Sequence, residues 1–116
     1  MSAPPKAGRE LDQRVAKEVF GAKSVDRVPA YSTDAVAADL IIAKLQSPSL
    51  RCAIEKVDDK WICVWWAKIV GKSVDKSERL SMSTASTREL AICRSALNLP
   101  ASRRAGAPLT RRARRV

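Results

Sequence analysis

The stretch "LRCAIEKVDDKWICVWWAK", residues 50–68, places two β-rich runs on either side of an acidic pair, Asp58-Asp59. With those two residues as a turn, the runs pair antiparallel, setting Val57 opposite Lys60, Ile54 opposite Cys63 and Cys52 opposite Trp65. Side chains alternate across a strand. One face therefore carries Cys52, Ile54, Trp61, Cys63 and Trp65, and the other Ala53, Val57, Ile62, Val64 and Trp66. Both faces are apolar. Such a sheet requires cover on two sides, which three helices can supply. In this register Cys52 and Cys63 sit diagonally rather than opposite, which disfavours a disulfide between them.

Beyond the hairpin, "KIVGKSVDKSE" (68–78) reads as a loop carrying Lys68, Lys72 and Lys76. "RLSMSTA" (79–85) alternates Leu80 and Met82 with Ser81 and Ser83, the pattern of an edge strand that buries its apolar face. "STRELAICRSALNLP" (86–100) gives the strongest helix signal. Ser86 and Glu89 fit a capping box, Leu90, Cys93 and Leu97 with Ile92 and Ala96 form an apolar face, and Pro100 closes the helix.

Two helices precede the sheet. From Glu10, Leu11, Val15 and Val19 recur at four-residue spacing with Ala16 and Phe20 beside them, and Gly21 is placed for a left-handed stop. In "VPAYSTDAVAADLIIAKL" (28–45), Ser32 fits an N-cap, Asp34 suits the positive end of the helix dipole, and Tyr31 can pack on Val36 as a hydrophobic staple. That helix runs to Leu45 with Val36, Leu40, Ile41, Ile42 and Leu45 on a broad face, and stops before Pro48. The expectation is an α+β domain over residues 10–100. A three-stranded antiparallel sheet is covered by three helices in the order α-α-β-β-β-α, with a leader at 1–9 and an Arg-rich, disordered tail at 101–116.

A chain of 116 residues suits one domain. The net charge is +10, and the last sixteen residues contribute +6 of it through six arginines and no acid. The longest apolar run, "WICVWWA", falls far short of the roughly 18 residues of a membrane span, and "MSAPPKAGRE" has no signal-peptide core, so no membrane partner is expected. Cys52, Cys63 and Cys93 are too few and scattered for a disulfide scaffold and read as reduced, buried thiols.

Chemistry finds little footing. The chain has no histidine and no C-x-x-C, which removes His-based acid–base and nucleophilic dyads and most zinc sites. "VGKS" ends like a phosphate-binding loop, yet Trp66 stands where the first glycine must be. Asp58-Asp59 reads as a turn rather than a metal site, and no cofactor is expected. Trp61 and Trp65 read as core; the sequence leaves the cover of Trp66, on the second face with Ile62 and Val64, open, and an uncovered Trp66 would be the lead to a partner surface. In the tail, Arg103, Arg104, Arg111, Arg112, Arg114 and Arg115 either solubilise or neutralise phosphates as a nonspecific nucleic-acid-binding arm.

The strings "ELDQRVAKEVFG" (10–21) and "PAYSTDAVAADLIIAKL" (29–45), Trp61-x-Cys63-x-Trp65, and "ELAICRSAL" (89–97), in that order, resemble the phage ABA sandwich domain family over about residues 10–99. The resemblance implies a three-layer α/β/α sandwich encoded by a temperate phage or its remnant, acting in the bacterial cytoplasm. It carries over no catalytic residue. Asp39, where relatives tend to have an aromatic, the lysine-bearing segment and the Arg tail depart from the family pattern. The expected function is a non-enzymatic accessory protein that binds a host or phage macromolecule, with nucleic-acid binding through the tail as the alternative.

Overall fold

The computed structural model describes residues 6–70 and 75–100, with side chains at 6–67 and 78–100. The six tail arginines and Lys72 lie outside the described residues, as do the side chains of Lys68 and Lys76. The elements are α1 (Arg9–Glu18), α2 (Ala35–Leu45), β1 (Leu50–Val57), β2 (Lys60–Val70), β3 (Asp75–Ala85) and α3 (Arg88–Leu97). The α+β class and the α-α-β-β-β-α order are those expected. The strands reach further than the sequence suggests: 68–70 and 75–78 belong to β2 and β3 rather than to a loop.

The sheet is antiparallel in the order β1-β2-β3, so β2 is central. Asp58-Asp59 makes the first turn, and the register Val57–Lys60, Ile54–Cys63 and Cys52–Trp65 is the one expected. Asp58 has φ 56°, a left-handed conformation that its short polar side chain tolerates. On the other side of β2, Trp65 pairs with Ser81 but Trp66 with Arg79, leaving Leu80 as the extra residue of a β-bulge.

The inward face of β3 departs from the expectation at Met82, while Leu80, at the bulge, is partly buried against the core as expected. Ser81 and Ala85 are buried, whereas Met82 is 47% exposed. The reason is the approach of α3: the Ser81 hydroxyl donates to the Ser95 carbonyl at 2.6 Å, a contact only a small side chain allows. Alternation reveals that one face of a strand is buried but not which one when a helix backbone comes this close.

α3 lies on β2 and β3, and α1 and α2 pack chiefly on α3 rather than on the strands. One core results, centred on Trp65, Ile41, Ile92, Leu99, Val15 and Val19. Of the α1 stripe, Leu11, Val15, Ala16 and Val19 are buried, and Gly21 takes φ 68° just beyond the helix. Trp61 is only half-buried at the rim, where the Lys56 ammonium stands 5.9 Å over its ring; the expected core place belongs to Trp65 alone. Cover is one-sided among the described residues. The face of Cys63, Trp65, Ala67, Ser81 and Ala85 is buried, and the opposite face is not.

Both expected caps shift. Asp34, not Ser32, caps α2, its carboxylate accepting from the Val36 N–H at 3.1 Å. Ser32 is buried and bonded to Asp12 instead. Tyr31 stacks on Phe20 with ring centroids 5.1 Å apart, and Val36, its expected staple partner, is 72% exposed. α2 turns Ala37, Ala38, Ile41 and Leu45 inward rather than Val36 and Leu40, since small alanines let it lie close on α3. α3 is capped by Thr87, whose hydroxyl accepts from the Leu90 N–H at 3.2 Å, so Ser86 and Glu89 form no capping box.

Candidate interaction face

Arg51 and Ala53 of β1, Ile62, Val64 and Trp66 of β2, and Arg79, Met82 and Thr84 of β3 share the outer face of the sheet. They do so because alternation along β2 turns Trp65 into the core and therefore Trp66 out of it. Trp66 is 37% exposed, Met82 47% and Val57 43%, large apolar side chains on one continuous surface. Most of a protein's exposed apolar residues are scattered; several side by side on one sheet face are the feature that marks a contact surface.

The face is also polarised. Trp66 lies directly between Arg51 on one neighbouring strand and Arg79 on the other. The Arg79 guanidinium touches the Met82 sulfur at 3.8 Å, which fixes it on the same side as the indole. Among the described residues neither arginine is paired with a carboxylate. The acidic groups Glu55, Asp58 and Asp59 sit toward the opposite, hairpin end. There Val57, Asp58, Asp59, Lys60, Ile62 and Thr84 line an open hollow of about 310 Å³.

The inner side offers structure rather than reactivity. The Trp65 indole N–H donates to the Ser95 hydroxyl at 3.0 Å, and that hydroxyl donates to the Ile92 carbonyl at 3.1 Å. The three cysteines are free thiols; Cys63 and Cys93 are buried as expected, whereas Cys52 is only partly buried. Cys52 and Cys63 are diagonal in register, with sulfurs 3.5 Å apart; their hydrogen bond pushes the Cys52 thiol up and holds Cys63 down. Burial, aided by Asp12 and Glu89, pushes the Cys93 thiol up to about 12, and burial raises Tyr31 as well. A thiol held protonated is a poor nucleophile. Asp58 and Asp59 stand in the turn, and no group of three metal-ligating side chains occurs among the described residues.

Trp66 was legible as a candidate from alternation alone, and Arg51 opposite it follows from the hairpin register. Arg79 did not follow, because the Leu80 bulge moves it onto the outer face. The candidate tail arginines lie outside the described residues. No described helix is long and apolar enough to cross a membrane. No protein-family model, curated protein or solved structure matches the chain.

Proposed function

We propose that this chain is a non-enzymatic binding protein that engages a macromolecule through the outer face of its sheet. The observation that carries the reading is that, among the described residues, no element covers the face of exposed Val57, Trp66 and Met82 and partly exposed Ile62 and Val64, while the described helices pack on the other side. The absence of histidine supports binding over catalysis. The resemblance to the phage ABA sandwich family supports an accessory role for a phage in the host bacterial cytoplasm, with a host or phage macromolecule as target. Nucleic-acid binding through Arg103, Arg104, Arg111, Arg112, Arg114 and Arg115 is the second reading, favoured by the +6 charge of the last sixteen residues.

The test is capture from bacterial lysate by the tagged full chain and by a Trp66→Asp/Met82→Glu variant. Trp66 is 37% and Met82 47% exposed, so neither change removes a fully buried side chain, and the variant is matched to the wild type by circular dichroism and thermal melt before capture. The wild type retains a specific partner that the variant loses. Equal capture by both would place the function elsewhere in the chain.

A further inference from the structure

We infer that the outer face binds single-stranded nucleic acid, with a base stacked on Trp66 and the flanking phosphates held by Arg51 and Arg79. The inference rests on the outer-face reading above and names its occupant.

The register carries it. Adjacent strands lie about 4.8 Å apart, so Arg51 and Arg79 flank Trp66 at about that distance on each side, measured between backbones. An exposed indole between two guanidinium groups combines the two elements that a strand-binding surface needs: a flat aromatic for a base and fixed cations for the backbone on both sides of it. Arg79 spends one donor on a thioether, a weak acceptor, and neither guanidinium meets a carboxylate among the described residues. Their donors are therefore open to phosphate oxygens. Ile62, Val64 and Met82 continue the surface beside the indole, where further bases or sugars can lie.

Charge complementarity separates this occupant from the others. A second copy would bring another +10 chain and another Arg51–Trp66–Arg79 row to the same surface. An acidic protein would satisfy the arginines but has no need of the indole between them. Duplex DNA keeps its bases stacked on one another and presents none to Trp66. Only an unpaired strand uses all three side chains together.

The experiment uses the full chain with a fluorescent twelve-nucleotide oligothymidylate and, separately, a duplex of the same length, across a salt series. The wild type is expected to bind the single strand more tightly than the duplex, with quenching of tryptophan emission. Trp66→Ala should weaken single-strand binding about tenfold or more while leaving duplex binding unchanged. Arg51→Ala and Arg79→Ala should each reduce the slope of log affinity against log salt by about 0.7. Arg51→Ala and Arg79→Ala should melt near the wild-type temperature, because both side chains are exposed; Trp66 is only 37% exposed, so Trp66→Ala should melt lower, and its binding is measured where circular dichroism shows it folded. Oligothymidylate binding that is unaffected by Trp66→Ala overturns the proposal, as does no binding at low salt. If the oligonucleotide fails while Trp66→Asp/Met82→Glu still loses a nuclease-resistant protein from lysate, this occupant falls and the outer-face reading stands. If that variant loses nothing, both fall.

Discussion

Ser32 gives both of its donors to one carboxylate oxygen: its backbone N–H and its hydroxyl reach Asp12 Oδ1 at 2.8 and 2.7 Å. The same hydroxyl accepts from the Gly8 N–H at 2.9 Å. The start of α1 and the approach to α2, twenty residues apart in sequence, are thus locked together inside the protein. Hydrogen bonds to a charged group contribute about 1.5–3 kcal/mol each. Asp12→Ala should therefore cost about 3 kcal/mol in urea unfolding, and Ser32→Ala about 1–2 kcal/mol. The double variant should fall short of the sum, because both changes remove the Ser32 hydroxyl–Asp12 bond. Strict additivity would show that the two side chains do not meet.

The Trp65–Ser95 bond fixes α3 on the central strand. Ser95→Ala leaves the indole N–H buried without an acceptor and should cost about 1–3 kcal/mol. Trp65→Ala should cost about 3–5 kcal/mol, close to the whole stability of many domains of this size. The environments of the tryptophans add an optical check: Trp66→Phe should move the mean emission to shorter wavelength, since it removes the most exposed indole and leaves buried Trp65 and half-buried Trp61. A shift to longer wavelength would mean that Trp65 and Trp66 have exchanged faces.

The helix starts separate the observed caps from their neighbours. Thr87→Ala and Asp34→Ala should each lower stability by about 1 kcal/mol, whereas Ser86→Ala should leave the thermal melt unchanged. A loss at Ser86 equal to that at Thr87 would move the start of α3 back by one residue.

These shifts show where sequence reasoning reaches and where it stops. The β1–β2 register was legible because a two-residue turn leaves one pairing that matches both apolar runs. The element order was legible because helical and strand periods alternate cleanly along the chain. Part of what failed had one physical cause: close approach. Ala37 and Ala38 face inward because α2 lies near α3, and Ser81 faces inward because α3 lies near β3, so small residues rather than large ones mark those contacts. Ser32 looked like a cap because nothing local reveals Asp12, and Arg79 looked like a loop neighbour because nothing local reveals the bulge. Asp39 has a role of the same long-range kind: its carboxylate accepts from Arg88 at 2.8 Å and ties α2 to α3.

Cys93 makes stability depend on alkaline pH. Its thiol sits among core side chains near Asp12 and Glu89, all of which disfavour a thiolate, and the folded protein holds it protonated to about pH 12. In the unfolded chain the thiol titrates near 9.0. Below that pH both states carry the proton, and the contribution is constant. Between about 9 and 12 the unfolded chain gives up the proton and the folded one keeps it, so stability falls as pH rises, by about 1.4 kcal/mol per pH unit. Tyr31, also raised by burial, steepens the fall above pH 10 in the same direction. Urea unfolding under reductant at pH 8.0, 9.5 and 10.5 should show wild type losing stability faster than Cys93→Ala over that range. The two should run parallel below pH 8.5, where the thiol is protonated in both states. Parallel curves throughout would mean that water reaches Cys93, and that α3 does not close over the central strand as tightly as its packing requires.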